Sequence, residues 1–194
     1  MTTTALGDDV QNTISKSAEY FVAHVWPALR DHVGGGEILP VETVVGSKMC
    51  RVLDTQSGVD AWQFKEGSGL RAIASRVQFD DHAVDRHGDP WNSFTVRAKT
   101  ARGNRSELDK RLDAIENGWL YPHYTVQAYT VGGALLSCAI AKTKDVIYAA
   151  IMATEKANGS DGALFRAVYW DDLAKMGAWL RAAGELAPVL DVAQ

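Results

Sequence analysis

A chain of 194 residues with 46% apolar content carries enough hydrophobic material for one compact core, which argues against disorder and for a single domain over 1–194. Its formal net charge of −4 weighs against a protein that coats nucleic acid by bulk charge, while leaving room for a local basic patch. The two cysteines, Cys50 and Cys138, show neither CxxC nor Cys/His ligand spacing, so no disulfide framework or zinc site is indicated; both fall in apolar strand-like patterns and read as buried thiols.

The segment Met1 to Asp9 lacks a basic stretch followed by an apolar one, and no apolar run is long enough to span a bilayer, so the expectation is a cytoplasmic protein without membrane contact. From Val10 to His32, Ile14, Ala18, Phe21, Val22, Val25 and Leu29 recur at helical intervals. Asp8 or Asp9 is placed to cap this helix, Pro27 predicts a kink or an early stop, and Gly34-Gly35-Gly36 ends it.

Three strand-like runs follow, Lys48 to Asp54, Val59 to Lys65 and Leu70 to Phe79, joined by Gln56-Ser57-Gly58 and Glu66-Gly67-Ser68-Gly69. Short glycine-bearing joints of this kind predict an antiparallel three-strand meander. Asp80 to Trp91 is dense in charge and reads as an exposed loop, its acids and histidines fitting no ligand template. Ser93 to Lys99 is a further strand, and Ser106 with Asp109 three residues on opens a second helix that stops at Asn117-Gly118. A hairpin from Tyr124 to Ala141 turns at Val131-Gly132-Gly133. After it come a helix capped by Thr143 and reaching about Lys156, a strand from Leu164 to Trp170, and a last helix from Asp171 to Ala183. The fold class is therefore mixed α/β (α+β): a mixed central sheet that starts as an antiparallel meander and is flanked by helices.

Helix, three-strand meander, helix and strand, with Gly58-Val59-Asp60 opening the second strand, resemble the PD-(D/E)XK, or restriction-endonuclease-like, superfamily over about residues 10–130, with 131–186 as an extension. The resemblance implies a metal-dependent nuclease in which Asp60 and a first-helix acid, here Glu19, hold Mg²⁺, because phosphodiester hydrolysis needs a cation that neutralises charge and activates water. Glu42 and Asp54 are competing acids. The third strand departs from the pattern: with Arg76 at the lysine position, the glutamate position is Ala74, which cannot bind a metal. Gln78, on the same face as Arg76, offers a carbonyl oxygen, and the planar guanidinium of Arg76 suits the grip of a phosphate better than proton transfer. Glu19, Asp60, Arg76 and Gln78 are thus the catalytic candidates.

A basic run supports a nucleic-acid partner: Arg97, Lys99, Arg102, Arg105, Lys110 and Arg111 stand against only Glu107 and Asp109 between positions 97 and 111. Aromatic residues concentrate from Trp119 to Tyr124 and again at Trp170 and Trp179, where they would stack bases, meet a partner or fill the core. No Walker loop, dinucleotide fingerprint, nucleophile elbow or HExxH is present. Two readings follow: a nuclease-like protein acting on nucleic acid, or a non-catalytic accessory or inhibitory protein of a phage or mobile element that binds nucleic acid or a protein partner. Ala74 favours the second. A small-ligand domain is the poorer alternative, for want of a pocket signature.

Overall fold

The computed structural model describes residues 16–44, 47–67, 69–157 and 162–185. The start of the first helix with its Asp8 or Asp9 cap, Ser68 and the tail after Pro188 lie outside the described residues. The first helix runs over 16–33, and Pro27 does not end it. Instead a π-helical turn, Phe21–Val25, precedes the α-helical turn Trp26–Leu29 that contains the proline. Proline has no N–H to give to the ladder, and a widened turn absorbs the odd carbonyl that this leaves. A 3₁₀ turn, Arg30–Val33, then leads to Gly34 in the left-handed region at φ 85°.

The meander is present, but its first strand is not the expected one. β1 (Glu37–Pro40) pairs antiparallel with β2 (Ala61–Lys65), and β2 with β3 (Gly69–Phe79). Residues Ser47–Val52 form a helix and Leu53–Ser57 a π-helical turn, so Cys50 sits on a helix and Asp54 in that turn. The reason is period: Cys50 and Leu53, three apart, share one helical face that packs on Val41 and Val59, and a short apolar run reads equally well either way. Gln63 ties the glycine run to β2, its amide donating to the carbonyls of Val33 (3.2 Å) and Gly35 (2.6 Å).

β3 continues the sheet by pairing parallel with β5 (Tyr124–Val131), which forms the expected hairpin with β6 (Ala134–Lys142). The outer strand is β9 (Leu180–Ala183), where a helix was expected to continue. The helix stops at Trp170–Lys175 because Gly177, at φ 71°, turns the chain back, with the Ala178 N–H closing on the Leu173 carbonyl. A second sheet of three strands is formed by β4 (Ser93–Lys99), β8 (Leu164–Tyr169) and β7 (Glu155–Ala157). The Thr143–Met152 helix therefore ends before β7. Its N-cap position is Lys142, and Thr143 bonds the Thr125 hydroxyl at 2.9 Å instead of capping.

The fold is mixed α/β, with a six-stranded mixed sheet between two layers. On one face the first helix lays Phe21, Val25 and Leu29 on Ile73, Val77, Val126 and Ile140. On the other, Tyr129 and Ala139 meet Phe94 and Val168 of the second sheet, Val146 and Ile147, and the fully buried Trp170. Among the described residues no helix is long and apolar enough to cross a membrane.

Candidate functional site

Alternation along β3 decides which side chains reach which layer: Ile73 and Val77 face the first helix, so Arg76 and Gln78 face the second sheet. The Arg76 guanidinium joins three elements there. It donates to the Thr95 carbonyl (2.7 Å) and hydroxyl (2.8 Å) on β4, and to Glu107 Oε2 at 3.0 Å. Glu107 opens the Glu107–Glu116 helix behind a capping box: Ser106 Oγ accepts from the Asp109 N–H at 3.2 Å, and Asp109 Oδ2 accepts from the Ser106 N–H at 2.9 Å. A carboxylate on the first turn is favoured by the helix dipole.

Glu107 is shared between two guanidiniums. Oε1 takes Arg111 Nη2 at 3.2 Å, one helical turn on, and Oε2 also takes the Arg97 backbone N–H at 3.3 Å. Burial alone would push this carboxyl up. The Arg76 and Arg111 charges, helped by the Arg97 N–H, outweigh it and hold the group below the usual carboxylate range.

Arg111 is the more unusual member, because only 7% of its side chain is exposed. Nη2 also reaches the Gly58 carbonyl at 3.4 Å, while Nε and Nη1 are buried with no hydrogen-bond partner. Gly58 is required in two ways: its φ is +59°, and a Cβ there would stand 2.8 Å from Arg111 Nη2.

Asp60 follows just before β2, and its Oδ2 accepts the Ser75 backbone N–H at 2.7 Å. Asp60, Arg76, Glu107 and Arg111 line one hollow of about 300 Å³ together with Arg97, Arg105 and Lys110. Among the described residues five cationic side chains thus meet two carboxylates, and Arg105 is further paired with Asp113.

Of the catalytic candidates, Asp60 and Arg76 share this hollow. Gln78 lines the neighbouring one with Tyr129, and Glu19 is exposed on a helix packed against the opposite face of the sheet. Glu19 and Asp60, which the nuclease resemblance pairs around Mg²⁺, thus lie toward opposite faces of the sheet. The second carboxylate at Asp60's hollow, Glu107, is already tied to two arginines, so the residues present do not fit a magnesium centre. Among the described residues no group of three or more His, Cys, Asp and Glu comes together. Glu42 is exposed on the short Val41–Val44 helix.

From the basic run, Arg97, Arg105, Lys110 and Arg111 line the hollow, whereas Lys99 and Arg102 are exposed outside it. Trp170 is core, and half-buried Trp179 packs on Tyr124 with ring centroids 5.5 Å apart. Glu107, Thr95 and Gly58 were not singled out from the sequence as site residues. The one available signal was the i, i+4 spacing of Glu107 and Arg111 inside a basic run. Compared with family models, curated proteins and solved structures, the chain shows no match.

Proposed function

We propose that the chain is a nucleic-acid-binding protein that grips phosphate in the hollow between Gly58, Asp60, Arg76 and Arg111, without metal-dependent cleavage at that place. The carrying observation is Arg111, a buried guanidinium with two unpartnered nitrogens at the edge of a hollow where cations outnumber carboxylates among the described residues. A buried charge without full pairing is costly, and the charge of an anion seated in the adjoining hollow offsets that cost. The resemblance to nucleases supports the same partner, while the separation of Glu19 and Gln78 from Asp60 supports binding in place of hydrolysis.

Fluorescence anisotropy with a labelled oligonucleotide tests this. Arg97→Glu together with Lys110→Glu is expected to weaken binding at least tenfold. Each phosphate contact contributes about −0.7 to −0.9 to the slope of log K against log salt, so affinity is expected to fall as salt rises. Unchanged binding in the double variant removes the hollow as the site. Cleavage of the same oligonucleotide in Mg²⁺, lost in Asp60→Ala, restores the catalytic reading.

A second reading, docking to a protein, is favoured by one feature. Tyr148, Ile151 and Met152 expose one face of the Thr143–Met152 helix, Met152 by 84%. Pull-down of a defined partner that is lost in Ile151→Asp, with oligonucleotide binding absent, would favour it.

A further inference from the structure

The cationic hollow does not stand alone. It shares Arg76 and Arg97 with a hollow of about 530 Å³ between the two sheets, and Gln56, Ser57, Arg105 and Lys110 with one of about 640 Å³ beside the end of the Glu107–Glu116 helix. The three adjoin with the strongly cationic one in the middle, and each end hollow sets aromatic or aliphatic side chains among polar ones, Asp81, His82 and Lys156 among them in the inter-sheet hollow.

Each end carries flat apolar surface. In the inter-sheet hollow exposed Trp91 and half-buried Phe165 stand beside Gln78 and Thr95, which supply hydrogen-bonding groups. At the other end Trp119 is 60% exposed and Leu120 43% exposed. The local sequence creates that exposure. Gly118, at φ 67°, ends the helix in a left-handed residue, and the Trp119 N–H closes on the Ala114 carbonyl at 2.8 Å, so the chain turns outward at the indole. An indole left in water on the rim of a basic hollow is a stacking platform for a ring that carries an anion.

Resting on the nucleic-acid reading above, we infer that the ligand class is single-stranded nucleic acid: a phosphate sits in the middle hollow and the two bases flanking it enter the end hollows, one of them stacked on Trp119. A single strand alternates anion and exposed ring in the same order as the three hollows. A duplex presents the phosphates but keeps its bases stacked inside, out of reach of Trp119 and of the inter-sheet hollow. An acidic peptide supplies charge without flat rings at both ends.

Anisotropy is measured for labelled single-stranded and hairpin-duplex DNA of equal length, with Trp119→Ala, Trp119→Phe and Lys110→Glu, all checked for an unchanged thermal unfolding curve. Trp119 is mostly exposed, so the alanine variant folds. The single strand is expected to bind at least tenfold tighter than the hairpin. Trp119→Ala lowers single-strand affinity about tenfold, Trp119→Phe restores most of it, hairpin binding is indifferent to both, and Lys110→Glu weakens the two substrates alike. Equal affinity for both substrates, with no effect of Trp119→Ala, overturns the stacking proposal and leaves phosphate binding standing. Equal displacement of the bound strand by an acidic peptide, or by a mononucleotide at the same concentration, also overturns it. Absence of binding to either DNA sinks both this proposal and the reading beneath it.

Discussion

Glu107→Gln separates two jobs that a single carboxylate performs. Glu107 accepts from Arg76 Nη2 at 3.0 Å, Arg111 Nη2 at 3.2 Å and the Arg97 N–H at 3.3 Å, with 23% of its side chain exposed. Glutamine keeps the shape, loses the charge and turns one acceptor into a donor that faces guanidinium. Hydrogen bonds to charged groups contribute about 1.5–3 kcal/mol each, and leaving a buried charge without its partner costs about 3–5 kcal/mol. Partial exposure discounts both, so the expected loss of stability is about 2–4 kcal/mol, a large fraction of an ordinary domain's reserve.

Binding should move the other way. Removing one negative charge within about 7 Å of the bound phosphate, at effective dielectrics between about 20 and 80, strengthens attraction by about 0.6–2.4 kcal/mol. A gain of about 1 kcal/mol, roughly fivefold in affinity, is the working figure. Urea unfolding gives the first number, and oligonucleotide anisotropy corrected for the unfolded fraction gives the second. A variant that is destabilised yet binds more tightly is the expected result. Unchanged stability would mean that the arginines do not depend on Glu107, and weaker binding by folded protein would mean that the carboxylate itself contacts the ligand.

Gly58→Ala should cost about 1–3 kcal/mol, from the left-handed backbone and from displacement of the Arg111 guanidinium, and should weaken oligonucleotide binding. Gly67→Ala, at φ 77° with nothing within 4 Å of its added Cβ, is the control; equal losses in urea would show that the guanidinium contact is unimportant. Burial pushes the Cys138 thiol up to about 12, so a thiol reagent at mild pH should leave Cys138 unmodified until urea unfolds the chain; rapid labelling of native protein at Cys138, mapped apart from half-buried Cys50, would contradict its packing in the sheet. In acid, Glu107 supplies the sign. Its folded-state pKa lies below the unfolded one, so its stabilisation is complete above the unfolded value and is lost as pH falls through the folded value. Urea midpoints should fall below about pH 4, and less steeply in Glu107→Gln; parallel slopes would assign the acid sensitivity elsewhere.

Local signals carried the elements and failed where tertiary pairing decided. The capping box at Ser106 and Asp109, the stop at Asn117-Gly118 and the hairpin at Gly132-Gly133 were all readable because each depends on neighbours a few residues away. The first strand was misplaced because β1 is four residues long and ends in proline, whereas 48–54 offered a longer apolar run that folds as helix. β9 was missed because Leu180 and its neighbours become a strand only by pairing with β6. The site divides in the same way. Composition found the basic run, and strand alternation put Arg76 and Gln78 on one face. That Arg76 meets Thr95 and Glu107 depends on β4 leaving the main sheet for a second one, which no local pattern encodes.

One carboxylate between two guanidiniums explains how an acidic chain sustains a basic hollow. Without Glu107, Arg76 and Arg111 would repel each other across a partly buried space, and the Glu107–Glu116 helix would lose its bonds to Arg76 of β3 and to the Arg97 N–H of β4. A second carboxylate as close as Glu107 would neutralise the pair and leave nothing to attract a phosphate. Asp60 brings a second negative charge to the hollow, its Oδ2 accepting the Ser75 N–H, and the five cations there still outnumber the two carboxylates among the described residues. The stoichiometry of two arginines to one glutamate therefore both holds the layers together and preserves an excess of positive charge. The unpartnered nitrogens of Arg111 locate where that excess is buried. Stability and ligand attraction are set against each other at Glu107, and for that reason the two effects of Glu107→Gln must differ in sign.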